Sequence, residues 1–394
     1  MKKKRLYILA PNDRFNYGDL IFSHIITFYF KPYVDDIVYC STTESNLTEL
    51  GGHKTHSFKV LHLVDPLLEN YLIIAGGECL FASWSIISYV DTFINKVSGI
   101  LYKYRFLRMR DIVNVLSCLA KLKYRPRTRY PFTIGKFEVP RFKGLYYNSV
   151  GGSYLKKRYK FLNQKDIRII KDCDYLSVRD TDTKEGLYKL GVNCNIVADS
   201  AILMSEAFSD VFLISKVRPS ILRETNSHYI FFQTNLKLWN KNKEEMTRQL
   251  KTLMKENNGK ICLCPIGTAL GHSDQVALSE IYSILGTQNT FFIDIPNIWE
   301  IMFLIKNSKL YIGSSLHGVI TAMSFNVPFL TFGVEKVKAY IRRWISEKAD
   351  AHVSDIDKIS LTAKVALHSN YSTDNQISSI KESFGVIINH IQND

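Results

Sequence analysis

The chain has 394 residues, 46% of them hydrophobic, enough for a large core and too many for one typical domain, so two domains are expected. Its formal net charge of +14 is localised: thirteen basic and two acidic residues lie between Lys96 and Lys143, and that segment carries +11 of the excess. One basic patch on a nearly neutral chain, with no nucleic-acid-binding motif, argues against a nucleic-acid partner. Seven scattered cysteines give neither a disulfide framework nor a zinc spacing. The longest apolar stretch, 71–90, contains Gly76, Gly77 and Glu78 and does not read as a membrane span. The basic start runs into LYILAP, too short for a signal-peptide core, so a cytosolic, reduced protein is expected.

In chain order, 5–11 reads as a strand, 12–19 (NDRFNYGD) as a loop, and 20–30 as an apolar helix ended by Pro32. Taken singly, Asn16, Gly18 and Asp19 are a turn and an N-cap. Residues 36–40 form a second strand, 60–64 a possible third, and 71–75 (YLIIA) a strand ending on Gly76-Gly77. An amphipathic, basic helical insertion is predicted within 98–140. Its charge suits anionic lipid headgroups or a phosphate-bearing substrate, and a solvated charged face is the competing explanation. Residues 144–152 (GLYYNSVGG) form a strand closing on a glycine turn, and 166–173 a helix. A strand over 175–178 delivers Arg179 and Asp180 at its carboxyl end. The helix 181–190 has Asp182 and Glu185 in capping-box-like spacing and Gly191 after it, and a strand over 195–198 ends at Asp199.

The alternation lapses over 205–227, read as a linker between an N-terminal domain 1–204 and a C-terminal domain 228–394. A second βα series follows: strand 229–234, helix 243–256, strand 260–265, a loop with Gly267, Gly271 and His272, helix 274–285, strand 291–295 and helix 299–305. Residues 309–333 then read as strand, small-residue turn, helix and strand, with a last helix over 375–391 assigned to the C-terminal domain. The fold class is therefore α/β, with two Rossmann-like domains facing across a cleft in a GT-B-like arrangement. His317 falls in the first turn of its helix, against the dipole, where a cation is disfavoured. A neutral imidazole bonded to a nearby carbonyl and a functional group are equally good readings of that stretch alone.

Several short motifs occur in one order: NYGD (16–19), GG (76–77), NSVGG (148–152), SVRD (177–180), AD (198–199), HSD (272–274), SSLHG (314–318) and VEK (334–336). The ordered set resembles the polysaccharide pyruvyltransferase family over about 12–336. The resemblance implies transfer of the pyruvyl group of phosphoenolpyruvate to two sugar hydroxyls, forming a cyclic ketal and releasing phosphate. It implies no cofactor beyond the donor substrate, and no metal. His317 matches the family histidine and is the expected general acid, with Asp19 or Asp13 as base. Arg179, Ser314, Ser315, Leu316, Gly318, Lys336 and His272 are expected on the donor, and Asn16, Gly76, Gly77, Glu78 and Asn148 on the glycan acceptor. The sequence departs from the pattern at Ser315, where many members have Arg, at Glu78, where a third glycine is usual, and in the insertion 98–140.

The basic residues Arg105, Arg108, Arg110, Lys121, Lys123 and Arg125 are expected to face an anionic membrane. The enzyme would then sit peripherally on the inner face of the cytoplasmic membrane, beside a polyprenyl-diphosphate-linked acceptor. Two alternatives stay open: a sugar-nucleotide-dependent GT-B glycosyltransferase, and a non-catalytic, membrane-docked member of a glycan-assembly machinery.

Overall fold

The computed structural model describes residues 2–84, 118–119, 122–124, 127–257, 259–267 and 273–393. The expected basic helix over 98–129 lies almost entirely outside these residues. Two sheets organise the described chain. The first is built from β1 (Lys4–Leu9), β2 (Asp36–Ser41), β3 (Ser45–Asn46), β4 (Lys54–Ser57), β5 (Glu69–Ala75), β6 (Gly144–Val150), β7 (Tyr175–Val178) and β8 (Asn195–Ile196). Their spatial order is β3-β4-β2-β1-β5-β6-β7-β8, parallel except for the antiparallel edge pair β3–β4. The second contains β9 (Tyr229–Gln233), β10 (Lys260–Leu263), β11 (Thr290–Phe292), β12 (Leu310–Gly313), β13 (Phe329–Phe332) and β14 (Val353–Ser354). Its order is β11-β10-β9-β12-β13-β14, parallel throughout. Continuous apolar runs such as YLIIA and FLTF make such strands, because a parallel sheet is covered on both faces.

The alternation of side chains divides the interior into three cores. Tyr7, Leu9, Leu72 and Ile74 face the outer side of the first sheet, and Ile230, Phe232, Leu310 and Ile312 the outer side of the second. Leu6, Ile8, Tyr71 and Ile73 turn the other way, into one central core that they share with Tyr229, Phe231 and Tyr311 of the second sheet. The two halves are thus joined by a continuous apolar layer.

Three local departures from the sequence reading have physical causes. Residues 60–64 do not add a strand: Phe58–His62 is a 3-10 turn that buries Phe58 and Leu61, three apart, and the strand lies earlier, at β4. The segment 205–227 is helical, with Asp210–Lys216 capped by the Ser209 hydroxyl and Pro219–Glu224 begun by its proline. Leu213, Val217 and Ile221 bury it in the central core. The last helix, Asp374–Asn393, does not stay with the second sheet. Its Phe384 packs on Tyr29 and Phe30, its Ser379 hydroxyl accepts from the Ala198 amide at 3.1 Å, and Lys4 of β1 donates to the Ile391 carbonyl.

Candidate active site

The site forms where two strand-to-helix turns, one from each half, meet. In the first half, β1 leads through residues 10–16 into helix α1 (Tyr17–Phe30). In the second, β12 leads through Ser314 into the helix Leu316–Ser324, whose N-cap Ser315 accepts from the Gly318 amide at 3.4 Å. Each residue of the NYGD motif makes a different connection across the seam. Asn16 bridges the backbone of Gly267, and the Tyr17 hydroxyl hydrogen-bonds the Thr321 hydroxyl at 2.8 Å. Gly18 makes room for the His317 ring, since a Cβ built there would fall 1.8 Å from Nδ1. Asp19 lines the cavity. Glycine is required at 18 for this close approach and not for its backbone angle. The Phe22 ring meets the imidazole edge-on at a centroid distance of 5.4 Å.

His317 is therefore carried by the second half and packed on the first. Its Nε2 is buried and no hydrogen bond satisfies it among the described residues; the nearby Asp199 Oδ2 lies at 3.5 Å, long for a hydrogen bond. Asp199 is fully buried at the end of the first sheet, and its Oδ2 also accepts from Arg179 Nη1 at 2.9 Å. Burial alone would push the Asp199 carboxyl up, but the His317 imidazole and the Arg179 guanidinium hold it below the usual carboxylate range. Arg179 shows the opposite balance: burial would lower it, and the Asp199 and Glu78 carboxylates keep it above its ordinary value.

Glu78 Oε1 lies 3.5 Å from Arg179 Nη2, and its other oxygen accepts from the Ser153 amide and hydroxyl at 3.0 and 3.1 Å. Burial tends to raise the Glu78 carboxyl, and the charges of Arg179 and Lys336 outweigh it, leaving it lowered. Lys336 is exposed at the cleft, and partial desolvation of its amine there, with the Arg179 charge, holds it below the ordinary lysine value. Gly77 lets these groups converge: a Cβ there would come within 3.3 Å of Asp19 Oδ1 and 3.4 Å of Arg179 Nη2.

Apart from Lys336, the second half contributes a lining of hydrogen-bonded polar groups. Asp274 Oδ2 accepts from Gln233 Nε2 at 2.8 Å and from the Gly267 amide at 2.9 Å, and Gln233 Oε1 accepts from the Ser314 amide at 3.0 Å. This chain of hydrogen bonds fixes the turn that opens the His317 helix. Tyr311 supports it from below, its hydroxyl filling the space that Cβ atoms at Gly313 and Gly318 would occupy.

A cavity of about 330 Å³ lies between the halves. Of the residues expected there, it gathers Asn16, Asp19, Gly77, Glu78, Arg179, Ser314, Ser315, Leu316, His317 and Lys336. Four others lie elsewhere. Asp13, one of the two candidate bases, is almost buried and spent on Arg14, Thr42 and the Thr43 amide. Gly76 serves backbone conformation, with φ +133 against Pro11. Asn148 is buried within β6, and the Gly318 amide is committed to the Ser315 cap. His272, Arg105, Arg108, Arg110, Lys121 and Arg125 lie outside the described residues, and Lys123 is exposed. The sequence reading missed Arg14, Gln233, Asn235 and Phe132 as lining residues, and the coupling of Asp199 to His317. Gln233 ends a central parallel strand, where ligand sites fall in this architecture, and that position was its only signal.

Among the described residues, no group of three or more His, Cys, Asp or Glu is placed to hold a metal ion, and no helix is long and apolar enough to cross a membrane. In backbone architecture the chain is similar to UDP-GlcNAc 2-epimerases. That of Methanocaldococcus jannaschii superposes with a TM-score of 0.52 at 12% identity, covering 98% of this chain and 99% of that one. That of Neisseria meningitidis gives 0.52 at 10%, covering 99% and 100%, and that of Rickettsia bellii 0.51 at 14%, covering 100% and 98%. At such identities the likeness establishes the two-domain GT-B-like fold and nothing finer. No curated protein sequence matches the chain. The profile of the polysaccharide pyruvyl transferase family matches residues 16–336, from Asn16 of the NYGD turn to Lys336 at the cavity wall, and the chain belongs to that family.

Proposed function

We propose that the protein transfers the pyruvyl group of phosphoenolpyruvate to two hydroxyls of one sugar in a surface polysaccharide or its lipid-linked precursor, forming a cyclic ketal and releasing phosphate. The observation that carries this reading is the His317 imidazole, buried with an unsatisfied Nε2 and aligned on the Arg179–Asp199 ion pair. The Asp199 carboxylate, 3.5 Å from Nε2, orients the ring as a proton donor. Arg179, Lys336 and the amides that open the Leu316–Ser324 helix bind the donor's phosphate and carboxylate.

His317 protonates the enol methylene, giving an oxocarbenium-like carbon. Asp19, on the facing wall, takes the proton of the attacking sugar hydroxyl and passes it to the departing phosphate, while the second hydroxyl displaces that phosphate to close the ring and returns its own proton to His317. Ionised Asp199 stabilises the imidazolium before transfer. The donor is the only small molecule the chemistry needs; no cofactor and no metal takes part. Lys59, His62, Leu63 and Arg127 share one surface cavity, and their charge and exposed leucine favour contact with an anionic membrane carrying a polyprenyl-diphosphate-linked acceptor.

The test is phosphate release from phosphoenolpyruvate across galactosyl, glucosyl and N-acetylmannosaminyl acceptors, free and diphospholipid-linked. Release should require one acceptor and disappear in His317→Ala with the fold intact. Wild-type rates in that variant would remove His317 from the chemistry.

A further inference from the structure

Arg179 has two carboxylate partners of unequal kind. Asp199 is fully buried and sits at hydrogen-bond distance, 2.9 Å. Glu78 keeps a side chain 30% exposed and reaches the guanidinium only at 3.5 Å. Asp199 is also tied to the Ala201 amide and faces His317, so it belongs to the scaffold. Glu78 is tethered through its other oxygen, to Ser153, which keeps the carboxylate close while leaving the Arg179 contact free to break.

The position of Glu78 sharpens the contrast. The main cavity and a smaller one of about 70 Å³ share a wall made of Glu78, Arg179, Leu316 and Lys336. Lys336 forms no ion pair within 4 Å among the described residues, and Ser315 brings a helix cap to a place where a cation would strengthen an anion site. The fixed positive charge at this wall is thus Arg179 and Lys336, and Glu78, a carboxylate of the chain itself, stands 3.5 Å from Arg179 on the same wall.

We propose that Glu78 is an internal counter-anion: it occupies the oxyanion position at Arg179 in the free protein and is displaced when the donor's phosphate or carboxylate arrives. The inference rests on the reading of this wall as the donor's anion site. Each anion that binds must first displace a charge held by Ser153, so Glu78 lowers affinity for any small oxyanion and favours ligands that engage several partners at once.

Calorimetric titration of inorganic phosphate, then of phosphoenolpyruvate, into the wild-type protein and Glu78→Gln tests it. Glutamine keeps an acceptor for Ser153 and removes the charge, so phosphate should bind about tenfold more tightly than to wild type. Glu78→Gly, which also removes the carboxylate, should shift affinity in the same direction. Unchanged or weaker phosphate binding in both variants, with wild-type melting temperatures, would overturn the inference and leave Glu78 a structural partner of Ser153. Absence of phosphate binding in all three proteins would overturn it as well. The proposed reaction is judged separately: if Glu78→Gln gains phosphate affinity but no acceptor elicits turnover in either protein, the counter-anion stands and the pyruvyl-transfer reading falls.

Discussion

The two walls of the cleft are built from different physics. The wall from the first half is ionic, with Arg179, Asp199, Glu78 and Asp19 converging at the ends of parallel strands. The wall from the second half is mostly neutral dipoles, with Gln233, Ser314, Ser315 and the start of a helix ordered by buried Asp274, and Lys336 supplies its cation. Charge in a low-dielectric cleft is strong but costly to leave unpaired, whereas dipoles are weaker and easily pre-aligned. His317 belongs to the second wall by sequence and to the first by contact, so its pairing with Asp199 and Phe22 forms only when the halves are docked.

That contrast can be broken at the ionic wall first. Asp199→Asn leaves Arg179 buried with only its weaker partner and should cost about 3–5 kcal/mol, measured by urea denaturation. A loss below ~1 kcal/mol would mean the wall is not electrostatically committed. Acid tests the docking of the halves. Further along α1, the His24 ring lies tilted against His53 at a centroid distance of 4.0 Å and meets Trp299 of the second half edge-on at 4.7 Å. Burial holds His24 down to about 4, and burial with the neighbouring His24 holds His53 down to about 2. Both are neutral in the fold and take protons near 6.5 once unfolded. Stability is therefore complete above that pH and falls below it, by roughly 1.4 kcal/mol per histidine per pH unit until His24 titrates. His53→Phe should flatten the low-pH limb of a melting-temperature profile.

Gly18→Ala drives a methyl into the His317 ring and should cost about 1–3 kcal/mol. Its loss of turnover should exceed what its loss of stability explains, because the imidazole is displaced. The neutral wall should respond more mildly. Asp274→Asn exchanges one acceptor oxygen for a donor beneath Gln233 and the Gly267 amide, and about 1–2 kcal/mol of destabilisation is expected. Lys156→Ala sits at the bottom of the range. It removes two solvent-exposed pairs, to Asp182 and Glu185, and should leave the thermal melt close to that of the wild type.

Lys156 also shows where the sequence misleads. The spacing of Asp182 and Glu185 mimics a capping box, yet the cap is Asp180, whose extended backbone lets its carboxylate accept from the Thr183 amide at 2.7 Å. Capping depends on backbone angles that spacing does not encode. The sheets were legible because each strand is an apolar run closed by glycine or polar residues. Arg179 and His317 were legible because each follows a strand end in a recognisable motif. Asp13 and Asp19 look alike in the NDRFNYGD loop; what separates them is a threonine pair thirty residues away that claims Asp13. The last helix has an apolar face that fits either sheet, and only packing on Phe30 and Tyr29 decides which one it covers. Contacts of this range leave no local periodicity to read.

The central core, shared by both sheets, bears on cooperativity. Parting the halves would bring apolar surface of this shared core into water. Two Rossmann-like units should therefore melt in one calorimetric transition, and substrates should enter by the mouth of the cleft while the two halves stay docked.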